Sequence, residues 1–86
     1  MPIETEMPRY RSHKIVRALK IAEVHHDSNN LGAVIFPVEE GFPSFQVDKE
    51  YVMKHDPKAD GYYIIYDDGY KSWSPAEAFE AGYTRI

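Results

Sequence analysis

The chain contains no cysteine among its 86 residues. That absence excludes a disulfide framework and thiolate metal sites. It fits a reducing, cytoplasmic setting, and it fits a lack of selection for cysteine equally well. Long apolar runs are also missing, since no stretch approaches the roughly 20 residues that span a bilayer. The acidic start at residues 1–6 is unlike a secretory signal. We therefore expect a soluble, cytoplasmic protein without membrane contact.

Motifs of catalysis, cofactor binding and metal binding are equally scarce. No serine occupies a nucleophile elbow, and no glycine-rich loop could cradle a phosphate. The pair His25-His26 lacks a third ligand at a suitable spacing, and adjacent strand residues point to opposite faces. Residues 67–69 lack the alternating oxygen donors of a calcium loop. The sequence therefore predicts neither an enzyme nor a cofactor or metal site.

Positive charge is concentrated in one segment of an acidic chain. Residues 9–20 hold five cations and no acid, so the segment is +5 while the whole chain is −4, and the remainder is −9. One interpretation is a site for phosphate, a nucleotide or an acidic partner. The other, which the acidic remainder favours, is pairing within the domain or with another subunit. The overall acidity argues against nucleic-acid binding. The cations are Arg9, Arg11, Lys14, Arg17 and Lys20.

The clearest local structure lies in residues 61–86. Two strand-like runs at 62–66 and 70–73 flank Asp67-Asp68-Gly69, which predicts a β-hairpin with a glycine-containing turn. The following sequence, Ser74-Pro75-Ala76-Glu77, is typical of a capping box and predicts a short helix that starts at Pro75 with Ser74 as its N-cap. Gly82 is expected to provide a left-handed C-terminal cap. Residues 83–86 should then close the chain as an extended segment.

Residues 1–9 are expected to form a flexible leader ahead of a single domain at 10–86. A polar loop is predicted at 25–30, strands at 31–38 and 44–47, and one helical turn at 48–53 capped by Asp48. Residues 12–24 fit either a helix or a strand, although Lys20 would interrupt a helical apolar stripe. The predicted core residues are Ile15, Leu19, Ile21, Val34, Phe36, Phe45, Val47, Ile64, Trp73, Ala78 and Phe79.

Several segments together resemble small uncharacterised proteins of tailed phages and prophages. The resemblance rests on residues 10–14 (YRSHK), 18–21 (ALKI), 61–63 (GYY), 68–70 (DGY) and 74–83 (SPAEAFEAGY). It implies that residues 12–24 form the first strand of the sheet. The expected fold is α+β and mainly β: a small bent antiparallel sheet or partly open barrel of about five strands with one or two short helices. These motifs mark turns, caps and core positions, so the resemblance implies a fold rather than an activity.

Tyrosine is the residue type that most suggests a binding surface. Four of the seven tyrosines lie in the predicted hairpin, with Tyr62 and Tyr66 on one face and Tyr63 on the other. Exposed tyrosines favour protein contacts, whereas cross-strand aromatic pairs would only stabilise the hairpin. On a single strand Arg11 and Arg17 would share a face and Lys14 would point away from it. The candidate binding residues are Tyr62, Tyr66, Tyr70, Arg11, Lys14 and Arg17.

The leading hypothesis is a non-catalytic phage or prophage accessory protein in the host cytoplasm. It would bind a host or phage protein, and we expect it to be a homo-oligomer, with a homodimer as the default. The alternative is a small-molecule binder that sequesters a nucleotide-type host defence signal, with basic side chains on phosphate and a tyrosine stacked on the base. A third, minor hypothesis is a virion or assembly component.

Overall fold

The computed structural model describes residues 7–11 and 14–86. Within these residues the chain forms seven strands and two helices. In chain order they are β1 (Arg9–Arg11), β2 (Ile15–His26), β3 (Ala33–Pro37), β4 (Phe45–Val47), α1 (Lys49–His55), β5 (Gly61–Ile65), β6 (Lys71–Pro75), α2 (Ala76–Gly82) and β7 (Thr84–Arg85). In this part of the chain no helix is long and apolar enough to cross a membrane.

The sheet is organised around β2, which at 12 residues is much longer than its neighbours. Its first half pairs with β1 and β5, and its second half pairs with β3 beyond a bulge between Ile21 and Glu23. The order runs β4-β3-β2-β1-β7, while β6 joins the sheet through β5. Every pairing is antiparallel. This open sheet with two helices confirms the predicted mainly β, α+β class, and the short strands β1 and β7 raise the strand number above the expected five.

The strand interpretation of residues 12–24 is correct from Ile15 onward. Lys14 precedes the strand, and residues 12–13 lie outside the described residues. Because β1 comes before it, this strand is the second of the sheet and not the first, as the resemblance implied.

Both faces of β2 are covered in its first half, whereas the residues from Ala22 onward are exposed or half-buried. Leu19 and Ile21 face one core, while Val16 and Ala18 face a second core on the other side. Since side chains alternate along a strand, burial on both faces removes the apolar–polar alternation that would have identified a strand. That explains why the sequence pattern fitted a helix as well.

The two cores are closed by different helices. Tyr51 of α1 covers the first core together with Tyr63 of β5, and Phe79 of α2 fills the second. Met7, only 1% exposed, also belongs to the first core. The leader predicted over residues 1–9 lies mostly outside the described residues. Of its described residues, Met7 is buried and Arg9 begins β1.

Five of the predicted core residues are buried: Leu19, Ile21, Val47, Ile64 and Phe79. Strand β3 turns its other face inward, so Ala33 and Ile35 are buried while Val34 and Phe36 are only half-buried. The core predictions for Val34 and Phe36 were therefore wrong. Ala78 is exposed on α2, which also contradicts the prediction. The remaining predicted core residues are half-buried: Ile15, Phe45 and Trp73.

Helix α1 begins as its capping signal predicts. The Asp48 side chain, in an extended backbone conformation, accepts a hydrogen bond of 2.9 Å from the backbone N–H of Tyr51. The helix continues past the single predicted turn to His55, and Asp56 ends it with a left-handed φ of 45°. The hairpin is confirmed too, with Gly69 at φ 89° in the turn between β5 and β6.

The predicted caps of α2 are wrong at both ends. Ser74 remains in β6, paired with Tyr62, and its Oγ donates to the Pro75 carbonyl instead of accepting from the helix, which begins at Ala76. Pairing with β5 keeps Ser74 in the sheet and out of the capping position. At the other end Gly82 is still helical. Tyr83 follows with φ −129° and ψ 145°, because the chain passes directly into β7 and needs no left-handed residue.

Candidate functional site

The predicted tyrosine face is divided by the fold. Every residue of β5 is buried, and Tyr62 is only 5% exposed. Its ring stacks on Phe79 at 4.3 Å and meets Tyr10 edge-on at 5.9 Å. Its hydroxyl donates a hydrogen bond of 2.7 Å to Glu80 Oε2. Tyr62 therefore holds α2 against the sheet, and the fold separates it from the other candidate tyrosines.

The remaining two candidates, Tyr66 and Tyr70, form a tyrosine pair at the tip of the hairpin. Their rings stack at 6.0 Å, and the Tyr66 N–H donates a hydrogen bond of 2.9 Å to the Tyr70 carbonyl. Tyr70 is 43% exposed, whereas Tyr66 packs partly against the second core. Lys14 Nζ lies 5.5 Å from the centre of the Tyr66 ring, a favourable position for a cation. The structure therefore brings together Lys14, Tyr66 and Tyr70.

A shallow groove of about 450 Å³ opens beside this pair. Its lining includes Lys14 and both tyrosines, but also the carboxylates of Asp67 and Asp68 in the turn. The groove therefore combines aromatic surface with charges of both signs. Such a surface suits a protein contact better than a single anion, because carboxylates repel a phosphate group.

Two residues that the sequence analysis did not single out, Lys54 and His55 of α1, complete the surroundings of Tyr70. Lys54 Nζ lies 4.9 Å from the centre of the Tyr70 ring, and His55 Nε2 lies 3.3 Å from the Tyr70 hydroxyl. Desolvation, followed by the positive charge of Lys54, lowers the pKa of His55. No local sequence signal links α1 to the hairpin tip, because this contact depends on how α1 packs against β6.

The described part of the basic segment lies on two paired antiparallel strands, β1 and β2, rather than on one continuous strand. In register, Arg9 lies opposite Arg17, and Arg11 lies opposite Ile15. Residues directly opposite one another on antiparallel strands project to the same face, so Arg9, Arg11 and Arg17 share a face. The expectation that Arg11 and Arg17 share a face is met, but through two strands, and Arg9 joins them. Lys14 lies apart at Tyr66.

The same face carries a fourth cation from a distant part of the chain. Arg17 pairs with Ile65 of β5, and Ile65 pairs with Lys71 of β6. A line drawn across the four strands β1, β2, β5 and β6 therefore meets two arginines, a buried isoleucine and a lysine. We call Arg9, Arg11, Arg17 and Lys71 the cationic row. The sequence analysis missed Lys71 because its place depends on β5 lying beside β2.

The cationic row is anchored at its centre and open at its ends. Arg17 is half-buried, and its Nη1 donates a hydrogen bond of 3.1 Å to the Met7 carbonyl. Arg9, Arg11 and Lys71 are exposed. Guanidinium and ammonium groups on an exposed face can bind carboxylates or phosphates through charge-assisted hydrogen bonds.

Other cations are paired with carboxylates, and one of them, Lys20, belongs to the basic segment, for which the second interpretation proposed such pairing. Lys20 lies 3.5 Å from Glu80, and Arg85 forms a bidentate pair with Glu39 at 2.9 and 3.0 Å. The hydrogen bond from Tyr62, then the nearby Lys20, lowers the pKa of Glu80. Across residues 7–11 and 14–86 no three histidine, aspartate or glutamate side chains come together as a metal site would require.

A second groove, of about 460 Å³, lies between β4 and the start of β6. Its walls include Asp48 and Glu50 as well as Lys49 and Lys71. The Asp48 carboxylate is already engaged as the cap of α1. This groove is therefore part of how α1 joins the sheet, and its mixed charge defines no ligand class.

The chain matches no protein-family model and no curated protein sequence. One solved structure does share its fold, namely the NMR solution structure of the monomeric form of the phage L decoration protein. The two superpose with a TM-score of 0.70 at 22% sequence identity. The likeness covers 91% of this chain but only 58% of the decoration protein, so this chain spans little more than half of that protein's length. At this identity the likeness concerns the fold.

Proposed function

We propose that this chain is a component of a phage particle that attaches to the particle by binding another phage protein. The observation that carries the proposal is the fold shared with a phage decoration protein over nearly the whole of this chain. The resemblance of its motifs to small proteins of tailed phages and prophages supports the same assignment. A virion component, the minor hypothesis from the sequence, thereby becomes the preferred one.

The described surfaces support a role in protein contact. Tyr70 is a large, exposed aromatic residue at a hairpin tip, and tyrosine is enriched in protein interfaces because a rigid ring with a polar end buries much area at low entropic cost. Two exposed cations, Lys54 from α1 and Lys71 from β6, line the same groove as Tyr70. An exposed tyrosine and exposed lysines are side chains that contact other proteins. We therefore propose a role in attachment without catalysis.

Binding of a nucleotide-type signal is less favoured by the same geometry. The tyrosine available for stacking lies beside Asp67 and Asp68 in its groove, and these carboxylates would oppose a phosphate there. The arginines lie instead on the face that Arg9 and Arg17 share. A base stacked on the tyrosine pair would therefore have its phosphates among carboxylates.

Attachment is tested with particles that lack the chain. The gene is deleted from the phage that encodes it, the assembled particles are purified, and the purified chain is added back and sedimented with them. The proposal expects saturable binding with a fixed number of copies per particle. A host-protein partner predicts no binding to particles and capture of a bacterial protein instead. Sedimentation of particles without bound chain would count against the proposal.

A further inference from the structure

We infer that the cationic row is the surface through which this chain contacts the particle, and that it recognises a carboxylate-rich patch on a folded protein. This inference rests on the proposed function and adds which face is used and what chemistry the partner presents. The row joins three cations from a segment without acids to a lysine 54 positions beyond Arg17. The fold thereby places four cations of an acidic chain on one face, where Asp48 and Glu50 lie beside Lys71.

The spacing of the row fits a flat surface rather than a small ligand. Arg9, Arg17 and Lys71 lie in one line across four strands, so three strand separations of about 4.8 Å spread the line over about 14 Å. A single phosphate is held by donors that converge within hydrogen-bonding distance of it. Here the buried Ile65 separates the arginines from Lys71. Several carboxylates spaced over a protein surface match this arrangement better.

Charge balance disfavours a nucleic acid as the occupant. The chain carries 14 acidic against 10 basic residues, and a polyanion would meet the surrounding carboxylates as well as the row. Asp67 and Asp68 lie in the turn that joins β5 to Lys71. A patch of carboxylates on a partner protein can be as small as the cationic row. The negative charge of a nucleic acid continues along its backbone and would extend beyond the row.

The exposed ends of the row are available for contact. Arg9, Arg11 and Lys71 are exposed, and Lys71 follows Tyr70 directly in the chain. Tyr70 and Lys71 line one groove, so an interface centred on the row would have an aromatic residue at its border. Arg17 donates a hydrogen bond to the Met7 carbonyl, so its guanidinium is less available to a partner than the other cations of the row. The exposed members of the row are therefore the residues to substitute.

The test compares variants of equal charge change. Arg9→Gln combined with Arg11→Gln removes two charges from the row. Lys20→Gln combined with Lys58→Gln removes two charges away from it, since Lys20 lies on the opposite face of β2 beside Glu80 and Lys58 pairs with Asp56. Lys71→Gln, on a different strand, is an independent second variant. Binding to the deletion-mutant particles is measured as a dissociation constant, and far-ultraviolet circular dichroism with thermal melting checks that each variant is folded.

We expect the arginine variant to bind about tenfold more weakly and the control pair to change affinity by less than about twofold, since only desolvated or directly opposed charges contribute strongly. Lys71→Gln should weaken binding in the same direction. Raising the salt concentration from about 0.05 M to about 0.5 M should weaken particle binding by the parent protein more than particle binding by the arginine variant. The reason is that ions screen the charge contacts that the variant lacks.

Four other results would contradict the inference, and each would point to a different explanation. Parent protein and arginine variant binding equally well would remove the row from the interface while leaving the proposed function intact. Parent protein that fails to bind particles would overturn both. Inorganic triphosphate or a short DNA duplex that raises the parent's melting temperature, with no effect on the arginine variant, would make the row a phosphate site. Self-association that the arginine variant abolishes would assign the row to a second copy of the chain.

Discussion

Gly61 lies directly against the indole ring of Trp73, so closely that a methyl group on Gly61 would overlap the ring atoms. The two residues belong to the paired strands β5 and β6, and the Trp73 Nε1 donates a hydrogen bond of 3.3 Å to the Lys58 carbonyl. The indole is therefore held from two sides. Glycine at position 61 is a packing requirement, since its φ lies outside the left-handed region.

Gly61→Ala should consequently destabilise the protein by about 1–3 kcal/mol, the usual cost of overpacking. The matched control is Gly82→Ala, because Gly82 is helical and a Cβ there would meet open space. The control should be neutral or stabilise the protein by up to about 1 kcal/mol, since alanine favours a helix over glycine. Urea denaturation of both variants measures the difference. Destabilisation by Gly82→Ala would instead support the sequence prediction that Gly82 is a left-handed C-terminal cap.

The two helix starts provide a second pair of variants. Asp48→Ala removes the side chain that accepts the Tyr51 N–H, and we expect a loss of about 1 kcal/mol. Ser74→Ala removes a hydroxyl that makes no cap hydrogen bond, so its cost should stay below about 0.5 kcal/mol. Chemical denaturation distinguishes the two. Equal losses would mean that Ser74 caps α2 in solution.

Alkaline pH should destabilise the fold through Tyr51. Burial raises the pKa of Tyr51 above its ordinary value of 10.0, and its hydroxyl donates a hydrogen bond of 2.7 Å to the Ser72 carbonyl. A raised pKa in the folded state stabilises the fold below pH 10.0. That contribution is lost as the pH rises, because the unfolded tyrosine ionises first.

The slope of the unfolding free energy against pH checks this expectation. Above the ordinary tyrosine pKa, Tyr51 alone should contribute a decrease of up to about 1.4 kcal/mol per pH unit. Tyr51→Phe should reduce the slope, although it also lowers the stability at neutral pH. A slope that Tyr51→Phe leaves unaltered would argue against burial of the hydroxyl.

Low pH should destabilise the fold through the contact between Tyr62 and Glu80. The hydrogen bond from Tyr62 is the main cause that lowers the pKa of Glu80. A lowered pKa in the folded state gives stability that is present above the unfolded pKa and disappears as the pH falls through the folded one. In Tyr62→Phe the pKa of Glu80 should move back towards its ordinary value. An NMR titration of the Glu80 carboxyl measures the shift, and identical titration curves in the two proteins would refute the contact.

Self-association remains a prediction, and the tyrosine pair is the surface to examine. Sedimentation velocity should return a species of about twice the 10.0 kDa chain mass if a homodimer forms. Tyr70→Ala should weaken that dimer without lowering the stability of the fold, because Tyr70 is largely exposed. Only a 10.0 kDa species at micromolar concentration would leave the tyrosine pair without a role in self-association.

Short-range signals in the sequence determined several features correctly. Gly69 adopts the left-handed conformation that a tight hairpin turn requires, and Asp48 caps α1, because each depends on residues within a few positions. The β-branched and aromatic composition of residues 62–66 likewise predicted a strand, which the structure places at Gly61–Ile65. The capping motif at Ser74 failed for a physical reason that lies outside the motif, since pairing with Tyr62 keeps Ser74 in β6.

Only the tertiary structure decided which surfaces are available for function. Tyr62 and Tyr66 belong to the same tyrosine-rich run, yet Phe79 of α2 covers the first and leaves the second at the hairpin tip. Arg17 and Lys71 come onto one face because β5 lies between β2 and β6. Periodicity assigns a residue to a face of its own strand, but the order and register of strands far apart in the chain depend on the packing of the whole sheet.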